Sequence, residues 1–211
     1  MKIELHLHTS RYSACAQDRP PDMMGRLVAM DYGAVYLTEH DAVWPDEEIA
    51  ELQERFPQLR IFPGVELSIG ELWSFQHLLV LGTNDAEYLQ MAESAQPDVR
   101  GILDKAAAAG HLTILAHPYR WEGGDEIIRR GLLPDALEYR TCNHNAKAGE
   151  MAKHTADWLS LPVVNADDAH SVEMVGQFWI ETDRPLARAD DVREIVLAGQ
   201  YANRDADSPL P

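Results

Sequence analysis

Two histidines stand two residues apart at the end of the first predicted strand. Residues 3–9 alternate between apolar and polar side chains, which predicts a β-strand. We expect Ile3, Leu5 and Leu7 on one face and Glu4, His6 and His8 on the other. Two imidazoles at a strand end can bind one metal ion, because imidazole is a common ligand of zinc, iron and manganese. A strand that carries two surface or core histidines without a metal is the alternative interpretation.

Further polar residues with metal-binding side chains follow or begin later predicted strands. They are His40, Glu66, His77, His117, Asp168 and His170. His77 stands at the start of its strand and the others at the ends, so the direction of that strand is left open. These residue types at these positions favour one shared metal centre over scattered structural histidines.

The elements that must position these residues alternate regularly along the chain. We predict strands over residues 3–8, 34–37, 60–65, 77–82, 112–116, 136–139, 162–166 and 178–181. We predict helices over residues 23–32, 45–55, 85–92, 98–109, 125–130, 145–159 and 188–198, the first of them capped by Asp22. The order strand, polar cluster, helix recurs about seven times and indicates mainly parallel strands with crossover helices. Only a closed or nearly closed barrel brings so many strand ends to one point, whereas an open sheet draws its ligands mainly from two strands.

Composition sets limits on the class of protein. The 211 residues suffice for one domain, residues 1–211, with a loose tail from about Asn203. There is no apolar run that could span a membrane and no signal peptide, and two cysteines do not form a disulfide framework, so we expect a cytoplasmic protein. The formal net charge of −17 disfavours binding to duplex nucleic acid. A small anionic substrate remains compatible, because bound divalent cations invert the local field. The oligomeric state is left open.

The ordered set of motifs resembles the PHP (polymerase and histidinol phosphatase) domain family. The matching segments are His6-Leu7-His8-Thr9, Thr38-Glu39-His40-Asp41, Gly64-Val65-Glu66-Leu67-Ser68, Gln76-His77, Ala116-His117-Pro118 and Asp168-Ala169-His170. The resemblance implies an α/β fold: a distorted TIM-like barrel of about seven strand–helix units, with a metal site at the C-terminal face of the strands. It also implies two or three divalent metal ions (Zn, Mn or Fe) that catalyse the hydrolysis of phosphate esters.

Carried over by position, the resemblance assigns ligands to three ions. His6, His8, Glu66 and Asp168 would hold the first ion; Glu66, His77 and His117 the second; His40 and His170 the third. A carboxylate has two oxygens and can bridge two cations, and a mixed imidazole and carboxylate shell suits Zn, Mn or Fe rather than Ca or Mg.

The first loop departs from the family pattern. Ala14 stands where many members have an aspartate, and its side chain cannot bind a metal. Cys15 could do so as a thiolate, although a small buried thiol is the favoured interpretation. The third ion is therefore expected to bind weakly, to be absent, or to be held with additional waters.

Other side chains are weighed as contacts to substrate or as structural residues. Arg120 is a candidate phosphate clamp, with Arg11 and Arg140 as weaker ones, and a surface arginine is the alternative for each. Tyr119, Trp73 and Trp121 are candidate pocket walls, although aromatic residues in loops more often cover the core. His111 is expected to be structural and His154 to be solvated, while Asp167 should point away from the metal and support a ligand or the fold. His144 is a minor candidate for substrate contact, and Asp41 should orient His40 or face the loop.

These observations predict a metal-dependent phosphoesterase in which Glu66, Asp168 and Arg120 take part in catalysis. The substrate would be a phosphomonoester such as a nucleoside monophosphate or histidinol phosphate, or a short phosphodiester, attacked by a metal-activated hydroxide. An amidohydrolase is an alternative, but many of its binuclear members need a carboxylated lysine. None of Lys2, Lys105, Lys147 and Lys153 stands at a strand end that could supply one. A metal-binding accessory domain without turnover is the third possibility.

Overall fold

A computed structural model describes residues 1–70, 75–93 and 96–207 of the chain. The strands are β1 (Lys2–Leu7), β2 (Tyr32–Leu37), β3 (Arg60–Ile69), β4 (Gln76–Leu81), β5 (Leu112–Ala116), β6 (Ala136–Glu138), β7 (Val163–Val164), β8 (Phe178–Glu181) and β9 (Ala202–Asp205). The helices are α1 (Pro20–Ala29), α2 (Asp46–Arg55), α3 (Glu87–Ala92), α4 (Val99–Ala109), α5 (Glu126–Arg129), α6 (Ala146–Leu159) and α7 (Asp191–Leu197). None of the helices in this part of the chain is long and apolar enough to cross a membrane.

The strands form one sheet with the order β7-β6-β5-β4-β3-β2-β1-β8-β9. The sheet curls toward a barrel, because the chain after β7 returns to β1, where His8 N–H donates to Ala169 O at 2.9 Å. Deeper in the barrel, Asp167 N–H donates to the Glu4 carboxylate at 3.0 Å. The predicted α/β fold with a barrel-shaped sheet is confirmed.

Strand β4 departs from the parallel arrangement that the sequence suggested. It runs antiparallel to both of its neighbours, β3 and β5, while β1, β2 and β3 are parallel to one another, as are β5, β6 and β7. An antiparallel strand begins at the end of the barrel where its parallel neighbours finish. The first residues of β4 therefore reach the same face as the carboxyl ends of the other strands, which resolves the direction that the sequence left open.

The first strand does not keep the simple alternation predicted for it. Ile3 and Leu5 pack in a core cluster shared by most of the strands and by α7, whereas Leu7 packs in a separate cluster with α1 and α2. The pairing of β1 with β2 shifts register between Glu4 and Leu7. Because a shift of one residue exchanges the two faces of a strand, the expected grouping of the three apolar residues is wrong. The shift leaves both Leu5 and His6 fully buried.

Burial of apolar side chains explains which end of the barrel stays polar. Val192, Ile195 and Val196 of α7 pack against the core cluster that fills the barrel. The other helices cover the outer face of the sheet, where α4 and α1 contribute buried residues such as Ile102 and Leu27. The polar residues predicted to form a site lie at the carboxyl ends of β1, β3 and β5, at the start of β4, and in the segments that follow β2 and β7.

The predicted ends of several elements need correction, and three of them matter most. Strand β3 continues through Glu66 to Ile69 instead of ending at Val65. Helix α1 begins at Pro20 rather than after Asp22, because the fixed φ of proline suits the first helical position; Asp22 lies in the first turn and Tyr32 belongs to β2. The tail is not loose from Asn203, since Ala202–Asp205 forms β9 and pairs with β8.

Candidate metal centre

The structure brings together all eight side chains predicted as metal ligands. His6 comes from β1, Glu66 from β3 and His77 from β4, while His8, His40, His117, Asp168 and His170 follow β1, β2, β5 and β7. The rings of His6 and His117, from the first and fifth of the six motif segments, stack with their centroids 5.9 Å apart. The side chains of His6, His8 and Glu66 are fully buried, whereas His40 is 27% exposed and lies at the solvent-accessible edge of the group.

Glu66 lies at the centre of this group, with its two oxygens facing different imidazoles. Oε1 lies 2.7 Å from His77 Nδ1 and 3.2 Å from His117 Nε2. Oε2 lies 3.2 Å from both His6 Nε2 and His8 Nε2 and 2.8 Å from His40 Nδ1. Despite these short distances, Oε2 makes no hydrogen bond. The oxygen and the nitrogens therefore point at a common space rather than at one another, as the donor atoms of a metal site do.

Asp168 provides the second carboxylate. Its Oδ1 lies 3.4 Å from His6 Nε2 and 3.3 Å from His8 Nε2, and its buried Oδ2 makes no hydrogen bond. Asp168 has φ of 51° and His117 has φ of 29°, in the left-handed region that is costly for residues other than glycine. Such backbone strain is concentrated at functional sites, and here it occurs at two of the strand-end side chains that face the group.

Three imidazoles, those of His8, His40 and His170, form a further group without a carboxylate. The ring centroid of His8 lies 4.3 Å from that of His40 and 4.3 Å from that of His170. The imidazole of His8 thus contacts both the other two rings and the carboxylates of Glu66 and Asp168. Ala14 and Cys15, in the loop predicted to complete the third site, are both exposed, so the expectation of a buried thiol at Cys15 is wrong. Ser13, next to them, is buried.

The charges of the group support metal binding. Burial alone would raise the pKa of Glu66 and Asp168, but the surrounding imidazoles hold both pKa values below their usual range. Burial lowers the pKa of His77, and burial together with the neighbouring His8 lowers the pKa of His170 to about 4. For His6, the effect of burial is outweighed by Asp168, Glu66 and Glu138, which raise its pKa. Both carboxylates are therefore ionised, and His77 and His170 are in the neutral form that a metal ligand requires. The raised pKa of His6 means that this imidazole would release a proton when a metal binds.

The described residues therefore fit a divalent metal centre. Three sets of donor atoms lie within 4.8 Å of one another: His6 with His8 and Glu66, His40 with Glu66 and His77, and His8 with His40 and His170. Glu66 belongs to two of the sets, which is the arrangement expected of a bridging carboxylate. Nitrogen and oxygen donors in this mixture suit Zn, Mn or Fe better than Ca or Mg.

Sequence reasoning missed Glu138, which lies beneath the imidazoles. Its Oε1 is 3.0 Å from His6 Nδ1, and its Oε2 accepts the backbone N–H of His117 at 2.7 Å. The carboxylate is fully buried. The signal that could have found it is its position, because Glu138 directly follows a short apolar run, as Glu66 and His117 do.

Glu39 and Ser13 form a second supporting group that the sequence did not reveal. Ser13 Oγ lies 3.2 Å from His8 Nδ1 and donates to Glu39 Oε2 at 2.6 Å. Glu39 also accepts from Thr9 Oγ1 at 2.6 Å and from Trp44 Nε1 at 3.2 Å. These hydrogen bonds fix the loop after β1 to the loop after β2, from which His8 and His40 project.

Among the candidate phosphate clamps, Arg120 alone contacts one of the eight residues. Its Nη1 lies 3.7 Å from Asp168 Oδ2, and its side chain is 33% exposed. Arg11 instead makes two hydrogen bonds to Glu48, and Arg140 pairs with Asp205. These pairings engage the charges of Arg11 and Arg140 with carboxylates outside the group.

The remaining histidines have other surroundings. His144 lies 2.6 Å through Nε2 from Pro118 O, and so links two loops rather than facing the group. His111 contacts the hydroxyl of Tyr88 at 3.0 Å, and His154 is exposed on α6. These positions agree with structural roles for His144 and His111 and with a solvated His154.

Two acidic residues beside the group also serve the fold. Asp167 accepts hydrogen bonds from the backbone of Gly176, Gln177 and Phe178 at 2.7–2.8 Å and from the hydroxyl of Tyr32 at 3.1 Å. Asp41 accepts from the backbone N–H of Ser68 at 2.8 Å. Asp167 thus anchors the start of β8, and Asp41 ties its loop to β3.

Aromatic side chains border one side of the group. The ring of Trp121 lies 5.4 Å from that of His77 and 5.2 Å from that of His117, as predicted for a pocket wall. Phe75, which the sequence did not single out, lies 4.8 Å from His77. Tyr119 instead turns its hydroxyl to Thr155 of α6, at 2.6 Å, and Trp73 lies outside the described residues.

Comparison with known proteins connects this geometry to a family. Residues 143–201 match the model of the PHP-associated family named PHP_C. No curated protein matches the chain significantly.

Several solved structures share the fold. A two-domain protein from Bacteroides vulgatus, containing a predicted PHP-like metal-dependent phosphoesterase, superposes with a TM-score of 0.70 at 14% identity, covering 97% of this chain and 64% of that one. A predicted metal-dependent phosphoesterase from Bifidobacterium adolescentis gives a TM-score of 0.63 at 15% identity, covering 93% and 95%. An amidohydrolase from Chromobacterium violaceum, with bound sulfate and no metal, gives 0.65 at 18% identity, covering 98% and 99%.

These identities are low, so the superpositions show a common fold. The present chain spans 64% of the length of the Bacteroides protein and nearly all of the other two. Together with the match over residues 143–201, the PHP-like fold confirms the resemblance to the PHP-domain family that the strand-end motifs indicated.

Proposed function

We propose that this protein is a metal-dependent phosphoesterase that hydrolyses small phosphate esters. The observation that carries the proposal is the position of Glu66. Its two oxygens face two different sets of imidazoles, at 2.7–3.2 Å, and Oε2 has no hydrogen bond of its own. Two cations held side by side suit the hydrolysis of phosphate esters, because they neutralise the charge of the phosphoryl oxygens and lower the pKa of water to near neutrality.

The proposed ligands are the sets that the resemblance to the PHP family implies, and the distances around the two carboxylates support the first two of them. His6, His8, Glu66 and Asp168 would hold one ion, and Glu66, His77 and His117 a second. His40 and His170 would hold a third, with His8 close to both sets. Asp168 and Glu66 retain negative charge at neutral pH, because the imidazoles around them keep both pKa values low.

Arg120 would bind the substrate. Its guanidinium lies 3.7 Å from Asp168 and is 33% exposed, so it can contact both solvent and a phosphate bound at the group. A guanidinium can donate two hydrogen bonds to two oxygens of one phosphate. With a net charge of −17 the surrounding protein repels anions, so Arg120 and the metal ions must supply the attraction for the substrate.

The surroundings of the lysines favour this function over that of an amidohydrolase with a carboxylated lysine. Lys2 lies over the rings of Tyr32 and Trp179, and Lys105 pairs with Asp85 and Glu87. Lys147 and Lys153 are exposed on α6. Glu66, rather than a lysine, lies between the two sets of imidazoles.

The proposal is tested by purifying the protein without chelator, counting bound metals by mass spectrometry, and assaying 4-nitrophenyl phosphate, bis(4-nitrophenyl) phosphate and an anilide. We expect at least two Zn, Mn or Fe ions per chain, phosphate release that stops after chelation, and recovery when metal is returned. Hydrolysis of the anilide alone would identify an amidohydrolase. Bound metal without hydrolysis of any substrate would identify a metal-binding accessory domain.

Substitution of Arg120 tests its part separately. Arg120→Met should raise the KM for the phosphomonoester about tenfold or more, because one charge-assisted interaction is lost. Arg100→Met, the same change at an exposed arginine of α4, is the matched control and should leave KM within about twofold. An unchanged KM in Arg120→Met would remove Arg120 from the proposed site.

A further inference from the structure

Phe75 and Trp121 form an aromatic wall on one side of the proposed metal centre. Their ring centroids lie 5.5 Å apart in an edge-to-face arrangement. Each ring also contacts His77, at 4.8 Å for Phe75 and 5.4 Å for Trp121. The wall therefore contacts His77, an imidazole that faces Glu66. Only the side chain of His77 separates the wall from Glu66.

The two rings remain accessible, unlike aromatic residues that fill the core. Phe75 is 39% exposed and Trp121 is 36% exposed, whereas Trp44, which packs under the loop after β2, is 2% exposed. Leaving two large apolar rings partly in water, beside a charged site, costs free energy unless something covers them. Their position predicts that the substrate itself provides the cover.

Arg120 connects the wall to the phosphate. Its guanidinium carbon lies 4.7 Å from the centroid of the Trp121 ring, while its Nη1 lies 3.7 Å from Asp168 Oδ2. One arginine thus contacts both the aromatic wall and the carboxylate at the metal centre. A molecule with a phosphate at one end and a flat apolar group at the other would match this spacing of charge and ring.

We propose that Phe75 and Trp121 determine which phosphate esters this site prefers, because they pack against a planar aromatic ring on the alcohol side of the substrate. This inference rests on the proposed phosphoesterase function. In the reaction, the oxygen of water forms a bond to phosphorus, the bond between phosphorus and the ester oxygen breaks, and the aromatic alcohol leaves with a proton. The wall contributes affinity and selectivity, and takes no part in breaking the bond.

The test uses two esters that differ in aromaticity but have similar leaving groups, benzyl phosphate and cyclohexylmethyl phosphate. Binding is measured by calorimetry on the Mn-supplemented protein, using the phosphonates in which a methylene replaces the ester oxygen. Hydrolysis of the two phosphates is measured separately. We expect the aromatic phosphonate to bind about fivefold more tightly than the saturated one, on the scale of an aromatic pair beyond its buried area.

Variants locate the source of this preference. Trp121→Leu and Phe75→Leu should each reduce the affinity ratio to below about twofold. Trp158→Leu, at a tryptophan of α6 that is 79% exposed, is the matched control and should keep the wild-type ratio. Reporting a ratio of affinities separates the wall from any general loss of metal or fold in a variant.

The outcomes distinguish the two proposals. A wild-type ratio near one, a ratio retained in both Leu variants, or no binding of either phosphonate would overturn the role of the wall, even if both phosphates are hydrolysed. A high ratio that depends on Trp121 and Phe75, without hydrolysis of either phosphate, would support the wall as a binding surface and count against the phosphoesterase function.

Discussion

Glu138 Oε1 lies 3.0 Å from His6 Nδ1, and the other oxygen of the same carboxylate accepts the backbone N–H of His117 at 2.7 Å. One buried side chain thus positions two of the proposed ligands from beneath. In the neutral imidazole of His6, the Glu138 carboxylate accepts a hydrogen bond from Nδ1 and so keeps the proton on that nitrogen. The lone pair of Nε2 then faces Glu66 and Asp168. Hydrogen bonds of this kind fix the orientation of imidazole ligands and raise their basicity.

Glu138→Gln should therefore weaken metal binding without removing a ligand. Loss of such a partner lowers metal affinity about 10- to 100-fold, so we expect a shift of this size in a titration against a competing chelator. Glu51→Gln, at an exposed position of α2, is the control and should titrate like the wild type. Equal metal affinity in Glu138→Gln and wild type would show that Glu138 supports the fold alone.

Glu66→Ala should lower the metal content at two positions at once. A carboxylate shared by two ions contributes to the affinity of both, whereas a ligand of one ion affects that ion chiefly. We expect loss of about two equivalents of metal and loss of phosphate release, with the thermal transition of the variant still cooperative. His77→Ala provides the comparison, since it should cost a single equivalent. Loss of only one equivalent in Glu66→Ala would rule out the bridge.

Local sequence patterns were enough to predict most of the candidate site. Histidines and acids that directly follow apolar runs, such as His117 and Glu66, lie toward the same end of the barrel, so a closed barrel brings them together. The strand-helix alternation allowed a barrel or an open sheet, and the number of polar clusters after strands favoured the barrel. The helices that begin after a side-chain cap in the structure, α4 after Asp98 and α6 after Asn145, were also placed to within a residue.

The features that sequence patterns missed depend on contacts between distant segments. The direction of β4 is set by pairing with β3 and β5, and the register shift in β1 by pairing with β2. Glu138 is separated from His6 by 132 residues, and Ser13 from Glu39 by 26. A buried carboxylate and a surface carboxylate look alike in a sequence, so only the folded chain reveals which ones face an imidazole.

Ser13→Ala should affect both His8 and the stability of the first loop. The hydroxyl lies 3.2 Å from His8 Nδ1 and donates to Glu39 Oε2, so its removal leaves two buried groups without this partner. An unsatisfied buried group costs about 1–3 kcal/mol, which we expect as a loss in the free energy of unfolding measured with urea. Metal affinity should fall as well, because His8 loses its fixed orientation. Ser10→Ala, at an exposed serine of the same loop, is the control, and equal effects of the two substitutions would contradict this role.

The third proposed ion should be the weakest of the three. In the described residues, the donors grouped around it are the imidazoles of His8, His40 and His170, without a carboxylate of their own. A carboxylate adds direct charge attraction to a cation, and neutral imidazoles do not. His40 and His170 are also 27% and 17% exposed, whereas His6 and Glu66 are fully buried. Stepwise chelation should therefore remove this ion first, leaving two equivalents bound.

Substitutions in the first loop test the same prediction by adding or removing a ligand of the third ion. Ala14→Asp should tighten the third ion, because Ala14 directly follows Ser13, whose hydroxyl accepts the backbone N–H of His40 at 3.1 Å. Ala86→Asp, at the N-terminal end of α3, adds the same charge outside the candidate site and is the control.

If the wild-type protein holds three ions with equal resistance to chelator, another ligand must complete the site, and the exposed thiol of Cys15 is the first to examine. Loss of one equivalent in Cys15→Ser would identify that thiol as the ligand, and retention of all three ions would place the ligand elsewhere.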